Sequence, residues 1–253
     1  MAGPITLGRL ALGYAASASG IYGALVYWRL SQTKDAIILK MNHESPASFR
    51  ASPTMTNIVN PRHYPESVMD SRYAKLKIPI RYSDEEILAH FVRGFFGSVV
   101  FAPERILANY ILPKITKFAA LKDTVVPAMA SQRSDLPSDK LLPLYARVVD
   151  LFQVTDSYIV DRSKDQTAES ESFVDFAFGC DDSTFAGAHR FSVSRSPEDP
   201  ESVTIGFSCI VVNPGTGKNM VPPGTSVFHR VYAMLLFRDA LAELRDVLKA
   251  RVS

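Results

Sequence analysis

Cysteine is scarce. Cys180 and Cys209 are the only two, so a disulfide framework is excluded, at most one bridge can form, and two buried thiols are the simpler expectation. Charge of either sign is not in excess, with 28 basic against 26 acidic residues and no aromatic side chains interleaved with a basic stripe, so nothing favours nucleic acid as a partner. No C-x-x-C or H-E-x-x-H spacing occurs and His43, His63, His90, His189 and His229 are scattered, which proposes no metal. A G-x-S-x-G elbow and a dinucleotide fingerprint are likewise missing, and no cofactor is expected.

One stretch imitates a phosphate loop. Residues 211–224 read VVNPGTGKNMVPPG after a β-rich run. The early glycine that lets a backbone wrap phosphates is replaced by Val212, and Asn219 stands where a hydroxyl would hold Mg²⁺. Pro222 and Pro223 deny the backbone donors of a helix start. The stretch is therefore expected to be a strand-to-helix connection built on Asn213, Pro214, Gly215 and Gly217.

What is present begins with an uncharged run from Leu10 to Trp28, 19 residues, about the length that spans a hydrocarbon core. Tyr27 and Trp28 close it at the level where amphipathic rings favour headgroups, and Arg29 is expected to follow in water. Ala16/Gly20 and Ser19/Gly23 supply the small-residue spacing of helices that pack in lipid. Residues 1–32 are read as a retained single-pass transmembrane helix, with a cleaved signal or a mitochondrial address as alternatives. Arg29, Lys34 and Lys40 after the span favour a cytoplasmic main body, and no N-x-S/T acceptor occurs anywhere. Residues 33–80, with four prolines between 41 and 73, are expected to form an extended linker.

The folded body is expected over 81–253. Ser83 and Glu86 make the S-x-x-E box that opens a helix with Ile87, Leu88, Phe91, Val92, Phe95 and Phe96 on one face. Pro103 and Glu104 start a second helix, PERILANYILPKITKFAAL. This Phe-rich pair packs into the core or, alternatively, meets a membrane surface. From residue 144 the period changes, and LYARVVDLFQVTDSYIV, FVDFAFGC, HRFSVSR and SVTIGFSCIVV read as antiparallel strands separated by turn clusters. A long amphipathic helix follows, with Phe228, Tyr232, Leu235, Leu241, Leu244 and Leu248 on one side. The order gives an α+β fold in which a curved antiparallel sheet grips the C-terminal helix, the helix-grip layout, and leaves an apolar concavity.

The stretch FVDFAFGCDDSTFAGAHRFSVSR, with VTIGFSCIVVNP and FHRVYAMLLFRDAL, resembles a family of bacterial and plant proteins of uncharacterised function related to the START-like, helix-grip group. The matching positions are Phe176 and Gly179, then Gly187, Arg190 and Phe191, then Arg230 and Tyr232, over about 100 residues. Ala188 and His189 stand where that family has acids, so no role of those acids carries over. The N-terminal segment and the Phe-rich pair are extra to the pattern and are similar to fungal proteins, some encoded among secondary-metabolite genes.

Ligand contacts are expected from Phe176, Arg190, Phe191 and Tyr232 at these positions, and from Phe228 on the last helix. Strict alternation sets His189, Phe191 and Val193 on one face of their strand and Arg190, Ser192 and Ser194 on the other, so His189 points toward the concavity. It is the candidate for proton transfer, with a partly buried histidine bonded to backbone as the alternative. Asp181 and Asp182 read as a turn and His229 as helix packing, while Cys180 would need a neighbouring base to act as a nucleophile. The functional expectation is a membrane-tethered domain that binds a hydrophobic small molecule, a lipid or a polyketide- or terpenoid-like intermediate. The alternatives are an enzyme on that scaffold, in which His189 assists cyclisation, isomerisation or hydrolysis, and a membrane assembly factor that docks through the Phe-rich helices.

Overall fold

The computed structural model describes residues 19–33, 37–42, 44–110, 117–162, 170–218 and 225–250. Helix α1 covers 19–31. Strand β1 (Ile37–Asn42) and a short helix α2 (Ala47–Arg50) follow, then a π-helical turn over Thr54–Val59 and the long strand β2 (Glu66–Lys77). Helices α3 (Asp84–Phe96) and α4 (Ala102–Tyr110) come next. The strands β3 (Met129–Ala130), β4 (Arg147–Val148), β5 (Phe152–Tyr158), β6 (Ser172–Phe178), β7 (Ala186–Arg195) and β8 (Ser202–Val212) lead to helix α5 (Thr225–Ala250).

The strands form one curved, eight-stranded sheet in the order β1-β2-β8-β7-β6-β5-β4-β3, antiparallel except for the two-residue β3–β4 pair. Bulges in β1, β2 and β5 interrupt the register, and such extra residues increase local bend and twist. The α+β class and the four strand segments expected after residue 144 are all present.

Alternation decides what each face holds. Val203, Ile205, Phe207, Cys209 and Val211 of β8 join Phe191 and Val193 of β7 and Val174, Phe176 and Phe178 of β6 in one large core. The intervening residues, among them Ala186, Ala188, Ile210 and Val212, enter a second core on the reverse face with Phe49, Met55, Ile58 and Val59. Burial on both sides explains why β7 and β8 carry few exposed residues.

Helix α3 starts at the Ser83/Glu86 capping box, with both reciprocal bonds formed. Phe91, Phe95 and Phe96 are at most 1% exposed and lie against Phe191, Phe207 and Phe176, so the α3 face belongs to the core and offers no outward docking face. The helix lying on the middle of the sheet is therefore α3, and α5 packs on α3 and over β2. Phe91 meets Phe237 edge-on at 5.7 Å. The two backbones approach closely at Gly94, where a Cβ would stand 2.7 Å from Cβ of Glu243 and 2.8 Å from Cα of Ala240. The buried stripe of α5 runs through Ala233, Leu236, Phe237, Ala240, Leu241 and Leu244, whereas Tyr232, Leu235 and Leu248 are only partly covered. The expected helical face is thus rotated by about one residue, because α3 and not the sheet is its main neighbour.

Two expectations need correction. Residues 33–80 are not an extended linker, since β1 and all twelve residues of β2 belong to the sheet. The prolines that suggested a linker sit between elements instead: Pro46 and Pro53 cap short helices, Pro61 lies in a turn and Pro65 precedes β2. The second helix is described only to Tyr110, residues 111–116 lie outside the described residues, and its expected end is not α-helical: Lys117 bridges to Cys180 and Ala119–Leu121 form a 3-10 turn.

The first part of the proposed span, Leu10 to Ala18, also lies outside the described residues. Among the described residues no helix is long and apolar enough to cross a membrane. Arg29 is not in water as expected: it donates to Asp239 at 2.7 Å and Glu243 at 3.2 Å and also pairs with Asp246. Tyr22 donates to the carbonyl of Val100, and Arg238 and Arg245 reach the carbonyls of Thr33 and Gln32, so α1 lies fixed along the body. The connection after β8 is the expected turn, with Oδ1 of Asn213 accepting from the amide of Thr216 and Gly217 at φ +67°. Residues 219–224 lie outside the described residues.

Candidate functional site

A cavity of about 320 Å³ opens where β6 turns into β7, roofed by the starts of α4 and α5. That volume is at the small end of ligand pockets. Phe95, Phe101, Phe152, Phe178, Phe207 and Leu236 line it, and its polar side chains are Glu104, His189, His229 and Tyr232. A larger hollow of about 570 Å³ beside Asp84 and Arg195 is bordered by charges already engaged with one another and makes a poorer candidate.

Strand β7 aims His189 into this aromatic well. Its ring stacks on Phe152 at 5.4 Å and lies 4.9 Å from Phe178, 5.1 Å from Phe207 and 5.9 Å from Phe95. It does not bond to backbone. Nδ1 is enclosed with no hydrogen-bond partner, and the same holds for Nε2 of His229, leaving Nε2 of His189 and Nδ1 of His229 as the nitrogens that can meet a ligand. Burial, reinforced by His229, pushes the His189 imidazole down to about 3, so it is neutral at physiological pH. A base with that affinity is too weak to take a proton near neutrality, and the ring serves as a hydrogen-bonding group.

This neutrality has a stability consequence. The unfolded chain binds the His189 proton below about pH 6.5, while the folded chain resists it until about pH 3. The contribution is therefore full above pH 6.5 and is lost as acid is added through that window, at up to about 1.4 kcal/mol per pH unit. Urea midpoints measured from pH 7 to pH 4 should fall less steeply for His189→Phe than for the parent chain by that amount; parallel curves would show the imidazole to be accessible to protons.

Glu104 enters the cavity wall from the first turn of α4 and is half-buried. Tyr232 of α5 donates its hydroxyl to Oε2 at 2.8 Å. Burial raises the Glu104 carboxyl and the tyrosine bond opposes the rise; burial and the adjacent carboxylate push the Tyr232 phenol up. No cation pairs with Glu104 among the described residues, an unusual state for a carboxylate against apolar walls.

The other sequence-derived candidates are distributed differently. Phe176 and Phe191 share the cavity's face of the sheet but are buried in the core between sheet and α3, each at most 1% exposed, and do not line the cavity. Arg190 lies on the reverse face, where it binds Asp175 through two bonds of 2.7 and 2.8 Å. Tyr232 and His189 do meet at one cavity, and the side chain of Phe228 lies outside the described residues. Asp181 accepts from the amide of Ala119 at 2.6 Å, as a loop tie. Cys180 and Cys209 are unbridged, and burial raises the Cys209 thiol. Glu104 and the packing role reversal of His229 were not foreseen: Glu104 reads locally as an acid at a helix start, and its partner Tyr232 is 128 residues away.

Comparison with protein-family models, with curated proteins and with solved structures gives no match for this chain.

Proposed function

We propose that the chain binds a hydrophobic small molecule carrying one hydrogen-bonding oxygen, a lipid or a polyketide- or terpenoid-like compound, in the cavity between the curved sheet and helices α4 and α5. The carrying observation is an aromatic cavity of about 320 Å³ whose floor holds a neutral, unpartnered imidazole. Dividing that volume by the roughly 30 Å³ that a water molecule occupies gives room for about ten non-hydrogen atoms, a compact ligand or one segment of a longer one. Burial of apolar ligand surface supplies the affinity, and a ligand oxygen at Nε2 of His189 relieves an otherwise unmade bond. This use of the space beneath a terminal helix is the helix-grip, START-like reading, with α3 filling the centre of the grip and the ligand held at its end.

Tethering to a membrane through Leu10–Trp28 belongs to the same proposal. Ile21, Leu25 and Trp28, at i, i+4 and i+7, are 64, 48 and 59% exposed along one side of α1.

Ala233→Trp fills the cavity from α5 and tests the reading. With 1-naphthol as a compact fluorescent probe carrying one hydroxyl, the full chain should bind and the variant should lose at least tenfold in affinity while its circular dichroism is kept. Equal probe fluorescence in both proteins would remove the cavity as the binding site.

A further inference from the structure

Three facts about the cavity remain unused by simple binding. A carboxylate stands on its wall without a cation among the described residues. One of its oxygens is fixed by Tyr232, so the other has a set direction. The same cavity holds an imidazole whose enclosed Nδ1 has no acceptor, which places the ring proton on Nε2, where a ligand oxygen can take it. A site that only held an apolar molecule would gain from replacing Glu104 with an apolar residue, because an unpaired carboxylate in such surroundings is costly.

We infer that Glu104 is a general base that moves a proton between two carbons of a bound unsaturated ketone, while the N–H of His189 holds the ketone oxygen. The inference rests on the cavity being the ligand site. In the first half of the step, the Glu104 carboxylate takes the proton from the carbon between the carbonyl and an isolated double bond. The C–H electron pair becomes a double bond to the carbonyl carbon, and the carbonyl π pair moves onto oxygen, where the His189 N–H stabilises it. In the second half, Glu104 returns the proton to the far end of the original double bond, and the carbonyl re-forms conjugated with the shifted one. Atoms and electrons balance, and no co-reactant is needed. The assignment replaces His189 as the proton acceptor, because a base enclosed by four aromatic rings, with its Nδ1 buried and unbonded, would have to carry its charge in apolar surroundings.

An octalone, a bicyclic β,γ-unsaturated ketone, is the probe. Its conversion to the conjugated enone is followed by ultraviolet absorbance, and its occupancy by native mass spectrometry of the full chain. The parent chain should isomerise it, and Glu104→Gln should bind it equally while losing about 10²- to 10⁴-fold in rate. Tyr232→Phe should lose less, since the carboxylate remains, and supplies the comparison if Glu104→Gln does not fold. Binding by the parent chain without conversion to the conjugated enone, or equal rates in parent and Glu104→Gln, overturns the proton transfer and leaves the binding site standing. Failure of the parent chain to bind the octalone overturns the cavity reading and the proton transfer with it.

Discussion

Arg190→Leu is expected to destabilise the fold by about 3–5 kcal/mol at pH 8, because it leaves a fully buried carboxylate without its counter-charge. Asp175 is 0% exposed and receives both bonds of the guanidinium, which also lies 3.8 Å from the ring centre of Phe173 and 4.8 Å from that of Phe49. Burial already raises the Asp175 carboxyl to about 6 against the pull of Arg190. Without the arginine the carboxyl rises further and takes up a proton, so the loss should shrink as pH falls toward 5. Chemical denaturation of Arg190→Leu, Asp175→Leu and the double variant at both pH values measures this. The double variant should recover most of the stability, since a well-packed apolar pair substitutes for a buried ion pair at little cost. Ligand affinity should be unchanged in folded Arg190→Leu, because the pair faces away from the cavity; a loss of probe binding at full stability would restore Arg190 to the site.

Asp84→Ala should cost a similar 3–5 kcal/mol. The carboxylate is 2% exposed in the first turn of α3 and accepts from Nε of Arg195 at 2.7 Å, Nε of Arg162 at 3.1 Å and Oγ of Ser172 at 2.8 Å. It thereby joins α3 to β6 and β7 at the end of the sheet remote from the cavity. Its removal strands the buried Arg195, which keeps only its bonds to the carbonyls of Tyr82 and Pro200. Thermal unfolding of Asp84→Ala and Asp84→Asn separates charge from hydrogen bonding, and Asn should recover part of the loss. Stability within 1 kcal/mol of the parent would mean that solvent reaches the arginine.

Local signals made α3 and β6 to β8 legible. The Ser83/Glu86 box lies within one turn, and strict alternation in HRFSVSR separates His189 and Phe191 from Arg190 as the register does. The strand β2 was hidden because its centre is polar: Asp70 and Arg72 are buried together, and Ser71 bonds Ser208 across the sheet, so no apolar alternation announces it. The π-helical turn was hidden because Thr54 finds its partner in Thr155, 101 residues on. The sequence placed His189 at the concavity but could not show four aromatic rings arriving from α3, β5, β6 and β8 to suppress its charge. Glu104 was invisible for the same reason, since its meaning comes from Tyr232 and the cavity rather than from its neighbours in the chain.

The clamp between Arg29 and α5 sets a path for mechanical load. Traction on the chain ahead of residue 19 enters the body through Asp239, Glu243 and Asp246. The same helix carries His229, Tyr232, Ala233 and Leu236 at the cavity. The leading helix and the cavity wall are thus joined through α5, so strain applied at one is carried by the helix that lines the other.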